Sequence, residues 1–533
     1  MSTSFARSKP SRGGLVVRGV KAPSVGPWLP CAIAVACTTL YVLFSLSQWY
    51  RWDVPSWDNA IFTQLLQSYA SGQPPVVNIK GHDFNLLGDH FHPLLVVLAP
   101  VYGLFPSALT LMITQDVLLG ISVGVVTGCA VRSLRPAPAA AIGVAYGLSF
   151  GLQGAVSVQF HEISLAVPLL ALAVAALRER RWVTATLWSA PVALVKEDLG
   201  MTVAMLGAVM FGHAFRPAAR VSGMLLNRVY EPATERGPGA RAASSSSSSA
   251  ATVREFGAAL SRTAQRPALL GALLMLWGVG LSLLAIWVVL PGLNPNDSFA
   301  YADKLDIAGI LRDPAGAVIS LFVPEQKLGT WLLTLAAGAV IAVRSPLALI
   351  ALPTLAWRML SPNHGYWGTG WHYNAVIMPI VFIALVDAVV RLRASGAGTR
   401  APRTLAKMAP WLALGVALVV ATQQPLSQLV TGEAWRGDPR AGVKRATVQA
   451  VPEGASVATD LTLINGLVSR ADVHWIGNPG DPAPEFVVID REGGTWGEDP
   501  PQDASEYAEE LYGETYVTVR DEANIILLER ESP

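Results

Sequence analysis

Residues 28–48 read WLPCAIAVACTTLYVLFSLSQ, an unbroken run without a charged side chain. A helix of about 20 apolar residues is long enough to cross the hydrocarbon core of a bilayer, which is roughly 30 Å thick. No compact signal peptide with a small-residue cleavage site precedes the run, so we expect a retained membrane anchor. Similar apolar runs recur along the chain, so this stretch predicts the first span of a multi-pass membrane protein.

The composition of the whole chain agrees with a membrane protein. Of its 533 residues, 52% are hydrophobic and 14% are charged, whereas about a quarter of the residues in a soluble domain are charged. This excludes an ordinary soluble enzyme, a disordered chain and a short-period repeat. The formal net charge of +1 provides no strong field for nucleic acid, so no nucleic-acid partner is expected. All three cysteines lie in apolar runs, which argues against a disulfide framework.

The apolar runs predict an all-α polytopic membrane bundle of about eleven transmembrane helices. The expected spans are 28–48, 108–131, 139–158, 163–177, 182–195, 199–215, 268–290, 328–343, 346–360, 374–390 and 410–429. The run 94–104 is too short to cross a bilayer and contains Pro100. We therefore expect an interfacial helix there, packed against protein.

The distribution of lysine and arginine predicts the orientation in the plasma membrane. With the N-terminus in the cytoplasm, the cytoplasmic segments carry 24 of these residues and the opposite segments before residue 430 carry 7. Cytoplasmic loops of membrane proteins are enriched in positive charge. The expected arrangement therefore has a cytoplasmic N-terminus and an extracytoplasmic C-terminus.

The segments outside the spans predict the domain organisation. A cytoplasmic tail covers 1–27, a transmembrane domain covers 28–429, and a large outer loop with interfacial helices covers 49–107. The arginine- and serine-rich segment 213–266 is typical of a flexible cytoplasmic loop. Residues 430–533 hold 20 acidic and 8 basic side chains. Their alternating apolar runs predict strands at 456–459, 486–490, 516–519 and 525–528, with helices at 461–468 and 504–512, hence a small extracytoplasmic α/β domain.

Polar groups collect at the predicted outer ends of the helices. Seven of the eight histidines map to that side. The groups are WDN (57–59), GDHFHP (88–93), FHE (160–162), KED (196–198), NHGY (363–366) and WHYN (371–374). Loops held by a rigid scaffold often carry binding and catalytic residues, so this side is the expected location of a functional site.

Each group also has a purely structural interpretation. Asp58 precedes an apolar helical run and is either a helix N-cap or a chemical group. Asp89, His90 and His92 are either half of a metal site or interfacial polar residues before a proline turn. The pair 161–162 is either functional or hydrogen-bonded at a helix end. The triplet 196–198 is either an internal ion pair or part of a functional site, since ionisable groups between apolar segments are costly.

Four motifs in a fixed order resemble a known family. They are WDNAIFTQ (57–64), GDHFHP (88–93), FHE (160–162) and KED (196–198), followed by VPEGASV (451–457), SR (469–470) and FVVID (486–490). Together they resemble a prokaryotic family of multi-pass membrane proteins of uncharacterised function. That family in turn resembles the GT-C class of membrane glycosyltransferases. The resemblance implies a first helix that runs from the inside to the outside, an outer loop with a catalytic acid, a helical bundle and an outer soluble domain.

The resemblance also implies a function and a set of site residues. The function is transfer of a sugar from a polyprenyl-phosphate lipid in the membrane to an envelope glycan or protein acceptor on the outer face. Asp58 is the expected general base, and Lys196 and Arg358 are expected to balance phosphate charge. The further catalytic candidates are Asp89, Glu162 and Glu197. The further substrate-binding candidates are His90, His92, His161, Asp198, His364 and His372. A divalent cation is a candidate cofactor, with Asp89, His90, His92 and His161 as candidate ligands.

Three other functions remain open from the sequence. A transporter or flippase would also contain intramembrane charges, although no inverted repeat is visible. A membrane-embedded metal-dependent hydrolase would bind a stoichiometric metal tightly. A non-catalytic scaffold would use the outer domain to bind a partner, whereas loss of a surface glycan on deletion would favour the transferase.

Overall fold

The computed structural model describes residues 28–229, 246–395, 400–497 and 499–531. Within these ranges the chain is mainly helical and carries one five-stranded sheet near its C-terminal end. The predicted cytoplasmic tail, 1–27, lies outside the described residues.

The described part of the chain begins with ten α-helices. They are α1 (Trp28–Tyr50), α2 (Trp57–Ala70), α3 (Ala99–Leu104), α4 (Ala108–Val131), α5 (Pro136–Gly147), α6 (Phe150–Ser157), α7 (Ala166–Arg178), α8 (Trp182–Ser189), α9 (Leu199–Val229) and α10 (Ser246–Leu284). The next helices are α11 (Leu290–Leu293), α12 (Ile307–Arg312), α13 (Pro314–Ser320), α14 (Glu325–Ala337), α15 (Leu352–Leu360), α16 (Met378–Ser395) and α17 (Arg400–Ala421). The C-terminal part contains α18 (Gln428–Thr431), α19 (Ala441–Ala450), α20 (Ile464–Leu467) and α21 (Ala504–Tyr512).

Six helical segments among the described residues are long and apolar enough to cross a membrane, rather than the expected eleven. They are Trp28–Tyr50, Ala108–Val131, Pro136–Ser157, Gln265–Leu293, His372–Ala394 and Arg400–Ala421. Three other expected spans are the shorter apolar helices Trp182–Leu194, Leu199–Ala214 and Pro346–Leu360. Two of these three, Trp182–Leu194 and Pro346–Leu360, contain a tighter 3-10 segment with Pro191 or Pro346 at its start. Pro191 lacks the N–H that would continue α8 as an α-helix.

The segment 94–104 lies in a short apolar helix, Pro93–Leu104, and its interfacial position stays a prediction. The predicted flexible loop 213–266 differs from the structure. Helix α9 continues to Val229 and α10 already begins at Ser246, so only the middle of that loop lies outside the described residues. Alanine and arginine, which are frequent at both ends of the segment, favour helix, and this offsets the weaker helix preference of serine.

The C-terminal sheet combines parallel and antiparallel strands. Its strands are β1 (Ser456–Thr459), β2 (Asp472–Trp475), β3 (Phe486–Asp490), β4 (Tyr516–Glu522) and β5 (Ile525–Arg530), in the order β2-β1-β3-β5-β4. Strand β1 is parallel to β2 and β3, and β5 is antiparallel to β3 and β4. A strand occurs at each of the four expected positions. Strand β2 was not expected, because DVHW (472–475) begins with a charged residue and contains a histidine, and so was not identified as an apolar strand run.

The C-terminal domain packs directly against the start of α2. The Asn465 side chain accepts a hydrogen bond from Asn59 Nδ2 (2.7 Å) and donates to the carbonyls of Val54 (2.7 Å) and Ser56 (2.9 Å). The indole rings of Trp57 and Trp475 stack with their centroids 5.0 Å apart. The domain therefore fixes the residues on either side of Asp58.

Candidate active site

Helix α2 has an N-cap other than Asp58. The Ser56 hydroxyl accepts a hydrogen bond from the backbone N–H of Asn59 (3.1 Å), which is the usual contact of an N-cap side chain. Asp58 lies in the first helical turn, and 54% of its side chain is exposed. The capping interpretation of Asp58 is therefore wrong, and its carboxylate is available for another contact.

That contact is with His161, from the loop before α7. Asp58 Oδ2 lies 3.4 Å from His161 Nε2, while only 3% of the His161 side chain is exposed. The other ring nitrogen of His161 lies 3.2 Å from the carbonyl of Gln159. Its ring stacks on that of His372 with centroids 3.7 Å apart. Because the imidazole is held on three sides, it fixes the position of the exposed carboxylate.

In the pair Asp58 and His161, each side chain stabilises the charged form of the other. Loss of surrounding water would raise the pKa of Asp58, but the positive charges of His161 and Lys196 outweigh it and lower the pKa to about 2. Burial would lower the pKa of His161, but Asp58 and Glu162 outweigh it and raise the pKa. The stable form of the pair is therefore a carboxylate beside an imidazolium.

A buried ion pair lies directly behind Asp58 and His161. Lys196 Nζ is 2.6 Å from Glu162 Oε1, and the two side chains are 16% and 3% exposed. Burial opposes both charges, yet mutual attraction lowers the pKa of Glu162 and raises that of Lys196. Removing one partner of such a pair leaves an uncompensated buried charge, so each partner depends on the other.

Glu197, just before α9, connects this helix to the segment 88–93 through hydrogen bonds. One of its oxygens lies 2.8 Å from His90 Nδ1, and the other accepts the backbone N–H of Phe91 at 3.0 Å. Burial would raise the pKa of Glu197, but the charge and hydrogen bond of His90 lower it to about 2. Since both oxygens are engaged, these contacts give Glu197 a positioning role.

Asp89 contacts two residues that the sequence did not single out. Lys80 Nζ and the Tyr301 hydroxyl each lie 3.3 Å from Asp89 Oδ1. Lys80 also sits over the Trp57 ring, 5.5 Å from its centroid, and Tyr301 stacks on His90. Lys80 was detectable as one of the few cations on the predicted outer side, whereas nothing in the local sequence distinguished Tyr301.

These pairs form one continuous cluster, because each of the segments 89–90, 161–162 and 196–197 contributes residues to two different pairs. Contacts link Asp58 to 161–162, then to 196–197, and through these to 89–90. Asp198 borders the cluster and accepts a hydrogen bond from the Trp357 indole at 2.9 Å. His92 and His372 are buried, and their ring nitrogens have no hydrogen-bond partner among the described residues.

Two predicted substrate-binding residues, Arg358 and His364, lie outside the cluster around Asp58. Arg358 is fully buried and donates to the carbonyls of Tyr366 and Gly368 and to Asn374 Oδ1. It therefore holds the segment that carries His372 and is not placed to receive a phosphate. His364 is exposed, packs edge-on against Trp367 and lines a cavity that no residue of the cluster lines.

The four candidate metal ligands do not form one coordination sphere. Asp89 is paired with Lys80, His90 with Glu197, and His161 with Asp58. In the part of the chain that the structure describes, no group of three or more histidines, cysteines or acidic residues is arranged to hold a metal ion. Three of the four candidate ligands are each paired with a different side chain, whereas the ring nitrogens of His92 have no hydrogen-bond partner among the described residues.

Three solved structures are similar to the chain at low identity. ArnT from Cupriavidus metallidurans bound to undecaprenyl phosphate is 13% identical, with a TM-score of 0.45 and coverage of 93% of this chain and 97% of that chain. The Archaeoglobus fulgidus oligosaccharyltransferase in the apo form is 13% identical, with a TM-score of 0.40 and coverage of 84% and 64%. AglB of the same organism, in complex with an inhibitory peptide and a dolichol-phosphate, is 12% identical, with a TM-score of 0.39 and coverage of 87% and 70%.

No curated protein matches the sequence. A family model described as "Predicted membrane protein (DUF2079)" matches residues 51–527. This range includes all the motifs that resemble an uncharacterised family of multi-pass membrane proteins, and it confirms that resemblance. The chain belongs to the DUF2079 family of membrane proteins.

Proposed function

We propose that the protein is a membrane glycosyltransferase that moves a sugar from a polyprenyl-phosphate lipid to a hydroxyl of an envelope acceptor, with Asp58 as the general base. The observation that carries the proposal is an exposed carboxylate, held by a buried imidazole and backed by a buried lysine–glutamate pair. The resemblance of the chain's family to the GT-C class supports the choice of donor.

The reaction follows from the groups in the cluster. The acceptor hydroxyl donates its proton to the Asp58 carboxylate while its oxygen forms a bond to the anomeric carbon of the sugar. The bond between that carbon and the phosphate oxygen breaks, and the electron pair leaves with the polyprenyl phosphate. Proton transfer to a positioned carboxylate typically contributes about 100- to 10,000-fold to the rate.

Lys80 and Lys196 supply positive charge for the leaving phosphate. Lys80 Nζ lies 5.5 Å from the centroid of the Trp57 ring, next to Asp58 in the sequence, and the charge of Lys196 lowers the pKa of Asp58. A bound phosphate diester would offset this positive charge and so raise the pKa of Asp58 from its low value. The carboxylate would therefore become a stronger base only when the donor is bound.

We also propose that the site faces the extracytoplasmic side, as the lysine and arginine distribution predicts. A reporter that is active only outside the cytoplasm should work when fused after residue 533 and fail when inserted in 230–245. Activity only at the internal position would reverse the orientation and move the cluster to the cytoplasmic side.

A transfer assay with the purified full chain tests the function. A synthetic polyprenyl-phosphate sugar is supplied with and without an envelope glycan fraction, and release of polyprenyl phosphate is measured. Release that depends on the glycan fraction and adds the sugar to it is the expected result. Release in water alone would indicate a hydrolase, and an unchanged lipid that moves between the leaflets of a vesicle would indicate a flippase.

A further inference from the structure

A groove lies between α4, α7 and α8, at the opposite end of α4 from its contact with the C-terminal domain. Ala108 at the start of α4 donates its backbone N–H to Ser469 Oγ (3.0 Å). Helix α4 then runs for 24 residues, or about 36 Å at 1.5 Å per residue. The groove opens near its last residues, so it is remote from Asp58.

The walls of the groove are apolar and its floor contains glycine. Gly124, Gly128 and Leu172 line it, together with alanines of α7. A Cβ atom on Gly124 would lie 3.3 Å from the Ala34 side chain, and one on Gly128 would lie 3.6 Å from Arg132 Nη1. Gly124 therefore lets α1 pack closely against α4, and Gly128 lies in contact range of the Arg132 guanidinium at the floor of the groove.

Two arginines stand at the mouth of the groove. Arg132 Nε lies 2.5 Å and Arg181 Nη1 lies 3.4 Å from the two carboxylate oxygens of Glu179. Their side chains are 51% and 58% exposed. No further hydrogen bond of these two guanidinium groups is found within the described ranges, so most of their N–H donors remain free. Glu179 thus holds the two guanidinium groups together and leaves most of their N–H donors available to a ligand.

The surroundings indicate which ligand would fit. Helix α4 is one of the helices long and apolar enough to span the membrane, and exposed Trp188 lines the same groove. Tryptophan is enriched at the membrane–water interface, and basic pockets between helices bind anionic lipid head groups. A guanidinium matches the geometry of a phosphate because it can donate two parallel hydrogen bonds.

We propose that this groove binds an anionic phospholipid of the membrane, with the phosphate on Arg132 and Arg181 and an acyl chain along Gly124 and Gly128. A free phosphate would leave the apolar walls uncovered, and a zwitterionic lipid would place its own cation beside the two guanidinium groups. The site is independent of the proposed transferase activity, because the groove lies at the other end of α4.

Native mass spectrometry of the purified full chain tests the proposal, with phosphatidylglycerol and phosphatidylcholine as probes. Each cation near a lipid surface strengthens binding by roughly fivefold, so Arg132→Gln with Arg181→Gln should weaken phosphatidylglycerol binding by about 25-fold. Phosphatidylcholine binding should change little. Arg135→Gln is the matched control, because Arg135 is exposed at the same end of the bundle and does not line the groove.

A second variant and a competitor separate the lipid from other anions. Gly128→Leu fills the floor beside the Arg132 guanidinium, so phosphatidylglycerol binding should be lost although both arginine residues are retained. Unchanged phosphatidylglycerol binding in the double arginine variant would overturn the proposal, as would equal binding of the two lipids by the wild-type chain. Displacement of the lipid by millimolar inorganic phosphate would also overturn it, since that result requires a site for a free anion.

Discussion

Asp58→Asn is expected to reduce sugar transfer by roughly 100- to 10,000-fold, with membrane insertion and protein amount unchanged. The lost proton acceptor accounts for the size of the effect. Helix α2 should remain stable because its N-cap is Ser56, and an amide has nearly the same shape as a carboxylate. The measurement is accumulation of unused lipid-linked sugar in cells that contain equal amounts of each variant.

Two control variants make the Asp58 result specific. Asp53 is exposed on the same loop, and among the described residues its carboxylate pairs only with neighbouring Arg51, at 2.8 Å. Because exposed ion pairs contribute little, Asp53→Asn should change transfer by less than about twofold. Ser56→Ala removes the actual N-cap and should lower stability by about 1 kcal/mol, with a much smaller effect on turnover. Equal losses in Ser56→Ala and Asp58→Asn would mean that the carboxylate acts only through the helix start.

Lys196→Met is expected to remove both folded protein and activity. It leaves the buried Glu162 carboxylate without its partner, and breaking a buried pair in this way typically costs about 3–5 kcal/mol. The double variant Lys196→Met with Glu162→Gln removes both charges and should restore the amount of protein in the membrane. Transfer should nevertheless stay roughly 100- to 1,000-fold low, because the cation that stabilises the leaving phosphate is still missing.

The double variant distinguishes a structural ion pair from a functional lysine. Protein amount is measured by immunoblot of membranes, and transfer by the lipid-linked sugar assay per unit of protein. If the double variant recovers both, the pair is only structural and Lys196 has no role with phosphate. Lys304→Met is the control, since Lys304 pairs with neighbouring Asp303 at 3.0 Å and is partly exposed, and it should change neither quantity much.

The sequence by itself determined the membrane class, most helix positions and the four expected strands. These features depend on hydropathy and alternation within a window of about 20 residues, which a linear sequence displays directly. It also identified the polar segments 57–59, 88–93, 160–162 and 196–198 as one group, because charged residues beside apolar helices require partners or a function. The count of eleven spans is not confirmed, because six described helical segments are long enough to cross a membrane and hydropathy does not register the 3-10 segments at Ala190–Leu194 and Pro346–Ala351.

Only the tertiary structure decided which polar residue contacts which. Asp58 and His161 are about a hundred positions apart in the sequence, and their contact depends on how α2 packs beside the loop before α7. The same applies to Lys80 and Tyr301 on Asp89. It also applies to Arg358, which donates four hydrogen bonds to acceptors between residues 366 and 374. Local sequence specifies the type of side chain and the face of a helix, but pairing between distant segments follows from how the whole bundle packs.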